Sequence, residues 1–214
     1  MTTIDLYRDI HKAIRAELFA VTSSAARIDP SDPMARAALA DHVRDVAALL
    51  VSHAAHEDTH VQPTIERLLP ELAARIAVEH PALEGELDGL VELADAGDVA
   101  ALHLALAAFT GRYLLHQDVE EREVMPALAA ALSFEEVLAI HQAIISSIPP
   151  DEMGRSLAIM LPAMNVDDRA GLLGGMRAGA PAEVFDGVWG LARSVLEPSD
   201  VGALVRRLGM EVAA

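Results

Sequence analysis

Histidine and glutamate recur in this chain at one fixed spacing, with three residues between them. The spacing occurs three times, as His53/Glu57, His80/Glu84 and His116/Glu120. Residues four apart lie on one face of an α-helix, so each pair can direct an imidazole and a carboxylate at one point. These two groups are ligands that suit iron, zinc, copper and manganese. Three pairs in a chain without cysteine therefore indicate a metal held between helices.

The composition narrows the class of protein. Of the 214 residues 52% are apolar and only 3% are aromatic, a balance that favours packed helices over strands. The formal net charge of −17 disfavours nucleic-acid binding and binding to anionic membrane surfaces, because both need a basic surface. The absence of cysteine excludes disulfides, thiolate zinc sites and iron–sulfur clusters.

The sequence shows no sign of export or of membrane insertion. Its start is not a basic stretch followed by a long apolar run, so we expect no secretory signal. No stretch of 18 uninterrupted apolar residues is present, so we expect no membrane span. These features favour a cytoplasmic location.

The apolar spacing predicts the helices that position the histidine–glutamate pairs. Four long helices are expected, over about 4–28, 33–68, 71–95 and 98–131. Pro63 is expected to kink or interrupt the second helix, and Pro81 to break the third. Pro63 lies six residues after Glu57, and Pro126 lies six residues after Glu120. The pattern His-x3-Glu-x5-Pro therefore occurs on both the second and the fourth helix.

The chain changes character beyond residue 131. A capping box at Ser133–Glu136 opens a series of short amphipathic helices with little ligand chemistry. We therefore predict an all-α protein, with an up-down-up-down four-helix bundle over 1–131. Residues 132–214 are expected to form a helical C-terminal extension that packs on the bundle or pairs with a second subunit as a homo-oligomer.

Every predicted bundle helix contributes at least one candidate metal ligand. The candidates are His11, His53, Glu57, His80, His116 and Glu120. Four helices around one core can supply ligands from several directions, and a carboxylate that bridges two cations spreads its charge over both. Exchangeable positions on such a metal would admit O2, peroxide or NO.

The order and spacing of these ligands resemble those of a known family. A lone His, a His-x3-Glu-x5-Pro segment, a second lone His and a second such segment follow each other over roughly 1–130, as in the hemerythrin-like family, also called HHE cation-binding domains. The resemblance implies a non-haem di-iron site, with two iron ions bridged by carboxylates and an oxygen species and the six candidates at ligand positions. It also implies O2 binding, sensing of oxygen, iron or redox state, or peroxide and NO chemistry.

Two positions depart from the oxygen-carrying hemerythrins. Those proteins have a second histidine on the third helix where this chain has Glu84, and an Asp five residues after the last histidine where this chain has Glu120 four after His116. A carboxylate in place of an imidazole, or a missing ligand, disfavours reversible O2 carriage. The departures favour oxidation chemistry or sensing, and whether the protein is an enzyme stays open.

Each of the two tyrosines lies about one helical turn before a candidate ligand. Tyr7 precedes His11, and Tyr113 precedes His116. Both can border the metal as donors or electron relays, or can pack their rings in the core with the hydroxyl bonded nearby.

Two other functions fit parts of the sequence. The segment His56-Glu57-Asp58-Thr59-His60 is an H-E-x-x-H motif, which in zinc peptidases supplies two zinc ligands and a general base. That interpretation leaves the pair on the fourth helix unexplained. In a third interpretation the protein is a metal-responsive interaction protein, in which iron binding orders the bundle and the extension contacts a partner.

Overall fold

A computed structural model describes residues 4–210 of the chain. These residues are almost entirely helical and include no strand, which confirms the all-helical class expected from the composition. The chain divides into two compact units, Met1–Ser147 and Ile148–Ala214.

The first unit contains the helices on which the candidate ligands were expected. Its helices are α1 (Arg8–Arg27), α2 (Pro33–His60), α3 (Gln62–Leu68), α4 (Pro70–Ala96), α5 (Val99–Val119), α6 (Met125–Ala131) and α7 (Phe134–Ser147). Between α5 and α6 the chain forms a wide turn of π-helix over Glu120–Val124. Helix α7 packs against α2 and α6, so the first compact unit extends beyond residue 131.

Side chains and glycine set the helix boundaries. Helix α1 begins at Arg8 instead of residue 4, because the Asp5 carboxylate accepts hydrogen bonds from the backbone N–H groups of Tyr7 and Arg8. Asp98 caps the start of α5 by accepting from Ala101 N–H at 3.0 Å. Gly97, with φ of +71°, ends α4 in the left-handed conformation that glycine adopts without strain.

The two prolines that follow the glutamates interrupt their helices in different ways. Helix α2 ends at His60 and a new helix begins at Gln62, so the predicted helix 33–68 is interrupted next to Pro63, which is one of the two outcomes expected there. Before Pro126 the helix widens instead, and Met125 N–H donates to Glu120 O, five residues earlier. Both interruptions follow from the proline ring, which has no N–H and clashes with the preceding turn.

The expected break of the third helix is absent. Helix α4 runs from Pro70 to Ala96 with Pro81 inside it. Pro81 is exposed, so its ring projects from the outer surface while the buried face of the helix continues on both sides. Packing of that face outweighs the one lost backbone hydrogen bond.

Helices α1, α2, α4 and α5 enclose the core of the first unit. Helix α1 packs against α2 and α5, and α4 packs against the same two helices. One apolar cluster, the main core, is formed by residues such as Ile14, Leu18, Val46, Leu50, Leu87, Leu106 and Phe109. A second cluster, the end core, includes Tyr7, Val61, Ile65, Ile76, Val124 and Leu128. On every one of the four helices the candidate ligands fall between residues of the two clusters.

The second unit has a small core of its own. Its helices are α8 (Pro150–Ala163), α9 (Val166–Gly179), α10 (Ala182–Val195) and α11 (Pro198–Leu208). Their apolar faces meet around Leu161, Leu173 and Leu204, which are fully buried. The buried Arg169 guanidinium donates to the Leu161 and Pro162 carbonyls and pairs with Asp200 at 2.9 Å.

One helical stretch, Val99–Ala131, is long and apolar enough to cross a membrane by length and composition alone. The criterion is also met by the core helices of bundles. In this stretch the buried face carries His116, Gln117 and Glu120, which lie inside the first unit. No other stretch within residues 4–210 meets the criterion.

Candidate metal centre

The first unit brings all six candidate ligands together. They form two groups, each with ligand atoms within 4.8 Å of one another: His11, His53, Glu57 and Glu120 in the first, and Glu57, His80, His116 and Glu120 in the second. The two glutamates belong to both groups. Each group therefore pairs two imidazoles with the same two carboxylates.

Each glutamate presents one oxygen to each histidine pair. Glu57 Oε1 lies 3.1 Å from His53 Nε2, and Glu57 Oε2 lies 3.5 Å from His80 Nε2. Glu120 Oε2 lies 3.4 Å from His11 Nε2, and Glu120 Oε1 lies 3.2 Å from His116 Nε2. This is the arrangement needed for two carboxylates to bridge two cations.

The Nε2 atoms of each histidine pair converge on one point. Those of His11 and His53 are 3.2 Å apart, and those of His80 and His116 are also 3.2 Å apart. Four nitrogens that converge in two pairs beside shared carboxylates are a donor set for nitrogen- and oxygen-binding metals.

Three of the four imidazoles are oriented by a carboxylate on their far side. His80 Nδ1 lies 2.7 Å from Asp58 Oδ1, His116 Nδ1 lies 2.9 Å from Glu79 Oε2, and His11 Nδ1 lies 3.0 Å from Glu121 Oε1. A histidine that donates its Nδ1–H to a carboxylate keeps the Nε2 lone pair free for a metal. These contacts fix the tautomer that ligation requires.

Arginines anchor two of the outer carboxylates. Arg75 pairs with Glu79 at 2.8 Å, and Arg15 pairs with Glu121 at 2.8 Å. Burial opposes ionisation of Glu121, but the hydrogen bonds from His11 and Arg15 lower its pKa to about 2. Glu121 is therefore an anion at neutral pH and a fixed acceptor for His11.

The two shared glutamates are buried at a cost that a cation would offset. Both oxygens of Glu57 and Oε2 of Glu120 are buried and make no hydrogen bond with any residue in 4–210. Burial and the nearby Glu120 charge raise the pKa of Glu57 well above its usual value. Burial opposes ionisation of Glu120 as well, but hydrogen bonds from His116 and His80 lower its pKa. The residues therefore fit a cation that pairs with both carboxylates.

The site is enclosed, and the two tyrosines lie at its edges. The Tyr7 ring lies 5.4 Å from the His11 ring, and the Tyr113 ring lies 5.7 Å from the His116 ring. Both tyrosines are buried in the apolar clusters on either side. Burial first, and then the charges of Glu57 and Glu120, raise both tyrosine pKa values well above the usual value. Both hydroxyls therefore stay protonated at neutral pH.

The remaining sequence candidates lie outside the two groups. Glu84 is one turn beyond His80 but belongs to neither group. His56 and His60 stack with their ring centroids 6.5 Å apart, and His60 bonds to Ser147 at 3.1 Å. Glu57 of the H-E-x-x-H motif is turned to the other histidines instead. Within residues 4–210 the motif therefore does not form a zinc site of the peptidase kind.

Sequence reasoning missed the three outer carboxylates. Asp58 and Glu121 directly follow Glu57 and Glu120, and Glu79 directly precedes His80. The signal was present, because a residue next to an inward-facing position on a helix lies at the edge of the buried face. The sequence could not predict which histidine each carboxylate contacts, because each contact is made to a neighbouring helix.

The fold and the site together define a class of protein, a helical bundle with a buried histidine–carboxylate layer for metal cations. The family model of the hemerythrin HHE cation binding domain matches residues 2–128, well over half of the chain. The chain belongs to this family, as its His-x3-Glu segments predicted. No curated protein and no solved structure matches the chain.

Proposed function

We propose that this protein is a non-haem di-iron protein that binds or reacts with O2 or related small oxidants. One observation carries the proposal: each of two buried glutamates offers one oxygen to each of two histidine pairs. A single cation would need only one such set of donors. Two sets that share both carboxylates support two metal ions.

The donor set favours iron over harder metal ions such as magnesium and calcium and over the softer copper(I). Imidazole and carboxylate suit iron, whereas magnesium and calcium prefer oxygen alone and copper(I) prefers sulfur. Two histidines and two carboxylate oxygens give four protein ligands at each position. Coordination positions that the protein leaves open support binding of a small oxidant. Ferrous iron, when bound, supplies the electrons for reduction of O2 or a peroxide.

The order of residues along the helices supports an up-down-up-down bundle. Among the buried residues, the end core comes before the ligand and the main core after it in α1 and α4, as Tyr7 just before α1 and Ile14 within it show. In α2 and α5 the order is reversed, as Leu50 in α2 and Val61 just after it show. Neighbouring helices of the bundle therefore run in opposite directions.

The protein residues around the site have definable roles in such a function. The two apolar clusters exclude bulk water from the carboxylates, which strengthens their attraction for cations. Glu84 supplies no ligand, which supports a more open site than that of an oxygen carrier. We therefore favour consumption or sensing of the oxidant over reversible carriage.

Metal analysis of the protein purified without added metal tests the proposal. We expect two irons per chain by elemental analysis, with near-ultraviolet absorption from the bridged iron pair. His116→Ala should lower the iron content, whereas His42→Ala should not, because His42 pairs with Glu17 away from the site. One zinc per chain and no iron would instead favour the peptidase alternative, and a chain that binds no metal would refute both.

A further inference from the structure

The two halves of the site are related by an approximate internal symmetry. Helix α1 corresponds to α4, and α2 corresponds to α5, in ligands and in neighbours. Under this relation Glu121, in the π-helical turn after α5, corresponds to Asp58 on α2: Glu121 holds His11, and Asp58 holds His80. The symmetry therefore extends from the ligands to the carboxylates that orient them.

The symmetry fails at one position. His116 on α5 is held by Glu79, the residue before His80 on α4. The corresponding residue, before His11 on α1, is Ile10. Within residues 4–210, His53 Nε2 contacts His11 and Glu57, but no carboxylate accepts a hydrogen bond from His53 Nδ1. Of the four candidate ligand histidines, His53 is thus the one for which residues 4–210 provide no carboxylate at Nδ1.

We infer that the two metal positions are unequal, and that the His80/His116 position holds its metal more tightly than the His11/His53 position. A carboxylate behind a ligating imidazole raises its basicity and fixes its orientation, and its loss typically weakens metal binding about 10–100-fold. The His80/His116 position has two such carboxylates, and the His11/His53 position has one. The inference rests on the proposed two-metal function. It adds that the metal at the His11/His53 position dissociates first.

The inequality assigns Glu79 as a positioning residue and Ile10 as the residue that sets the difference. Ile10 is only partly buried at the edge of the main core, so a longer polar side chain can be accommodated there. The weaker position is then the one at which metal exchanges. Its histidine His53 is also the least enclosed of the four ligand histidines.

Anaerobic titration of metal-free protein with ferrous iron, in competition with a coloured chelator, tests the inference. We expect two binding events whose affinities differ by about 10–100-fold. A crystal grown with one equivalent of iron should show anomalous scattering mainly at His80/His116. Equal affinities, or iron mainly at His11/His53, would overturn the inference while leaving the two-metal function intact. Binding of fewer than two irons would instead refute the proposed function.

Matched variants separate the cause from a general loss of structure. Ile10→Glu should tighten the weaker event about 10–100-fold, and the uncharged Ile10→Gln should tighten it less. Glu79→Gln should weaken iron binding at the tighter position by a similar factor. This variant tests the inference even if the Ile10→Glu protein does not fold. Glu86→Gln is the control, since Glu86 pairs with Arg112 across the same two helices and contacts no histidine. If both iron affinities stayed unchanged in the Ile10 and Glu79 variants, the roles assigned to these two residues would be contradicted.

Discussion

Replacement of Glu57 by glutamine should have opposite effects on the metal-free and the metal-loaded protein. The ligand oxygens of Glu57 and Glu120 lie within 4.8 Å of each other. At an effective dielectric constant of about 20, two like charges at that distance repel by about 3.5 kcal/mol. The metal-free protein avoids this repulsion by keeping a proton on Glu57, whose pKa is raised by burial and by Glu120. Glutamine removes the need for that proton.

The sign of the pH effect follows from the raised pKa. Between the unfolded pKa of glutamate, about 4.3, and the higher folded pKa of Glu57, the folded state holds a proton that the unfolded state has lost. The free energy of unfolding therefore falls as pH rises through that window. Glu57→Gln does not lose unfolding free energy in this way. The stability of the metal-free variant relative to wild type should therefore increase as pH rises from about 4.3.

With iron bound the order should reverse. Wild type should gain about 4 kcal/mol at a free iron concentration of about 1,000 times the dissociation constant. The variant lacks the Glu57 carboxylate and should gain far less. We therefore expect Glu57→Gln to be about 1–3 kcal/mol more stable than wild type without metal, within the limit set by the repulsion. With metal it should be less stable than wild type.

Urea unfolding at several pH values, with and without iron, measures both effects. Glu92→Gln is the matched control, because Glu92 is exposed on α4 and the same substitution there should change neither stability by more than about 0.5 kcal/mol. The reasoning would be refuted by a metal-free Glu57→Gln protein less stable than wild type at pH 7.5. A variant that still gained as much stability from iron as wild type would also refute it.

Three single substitutions and one double variant test other parts of the structure. Asp58→Asn should weaken iron binding about 10–100-fold in chelator competition, because the carboxylate that accepts from His80 loses its charge; unchanged binding would contradict this role. Phe109→Ala, in the main core, should cost about 3–5 kcal/mol of unfolding free energy, and a cost under 1 would refute its core role. Arg169→Met should destabilise the second unit by about 1–3 kcal/mol in thermal unfolding, since buried carbonyls lose their donor. The double variant His56→Ala/His60→Ala should retain its iron; loss of metal would reopen the H-E-x-x-H interpretation.

The sequence predicted which side chains would come together better than it predicted the helices that hold them. His53 and Glu57 are related by helical periodicity alone, so their common face could be read directly. The start of α1 was placed too early because the Asp5 carboxylate binds the backbone at residues 7 and 8 before the helix begins. Pro81 was expected to break α4 because propensity was weighed without the buried face that continues across it.

The outer carboxylates show a second limit of sequence reasoning. Asp58, Glu79 and Glu121 are ordinary surface residues by composition, and each acts on a histidine of another helix. Periodicity along one helix says nothing about the rotation of the next helix against it. Only the packed bundle shows which carboxylate meets which imidazole.

The two prolines illustrate what a repeated pattern can and cannot determine. Because neither Pro63 nor Pro126 can donate a backbone hydrogen bond, an irregular turn one step beyond each glutamate was predictable. One turn became a break and the other a widened π turn, since the chain that follows packs on different neighbours. In both cases the segment after the glutamate places apolar side chains in the end core. These side chains cover one end of the site, and the glutamate-to-proline spacing that repeats within this chain precedes them in both cases.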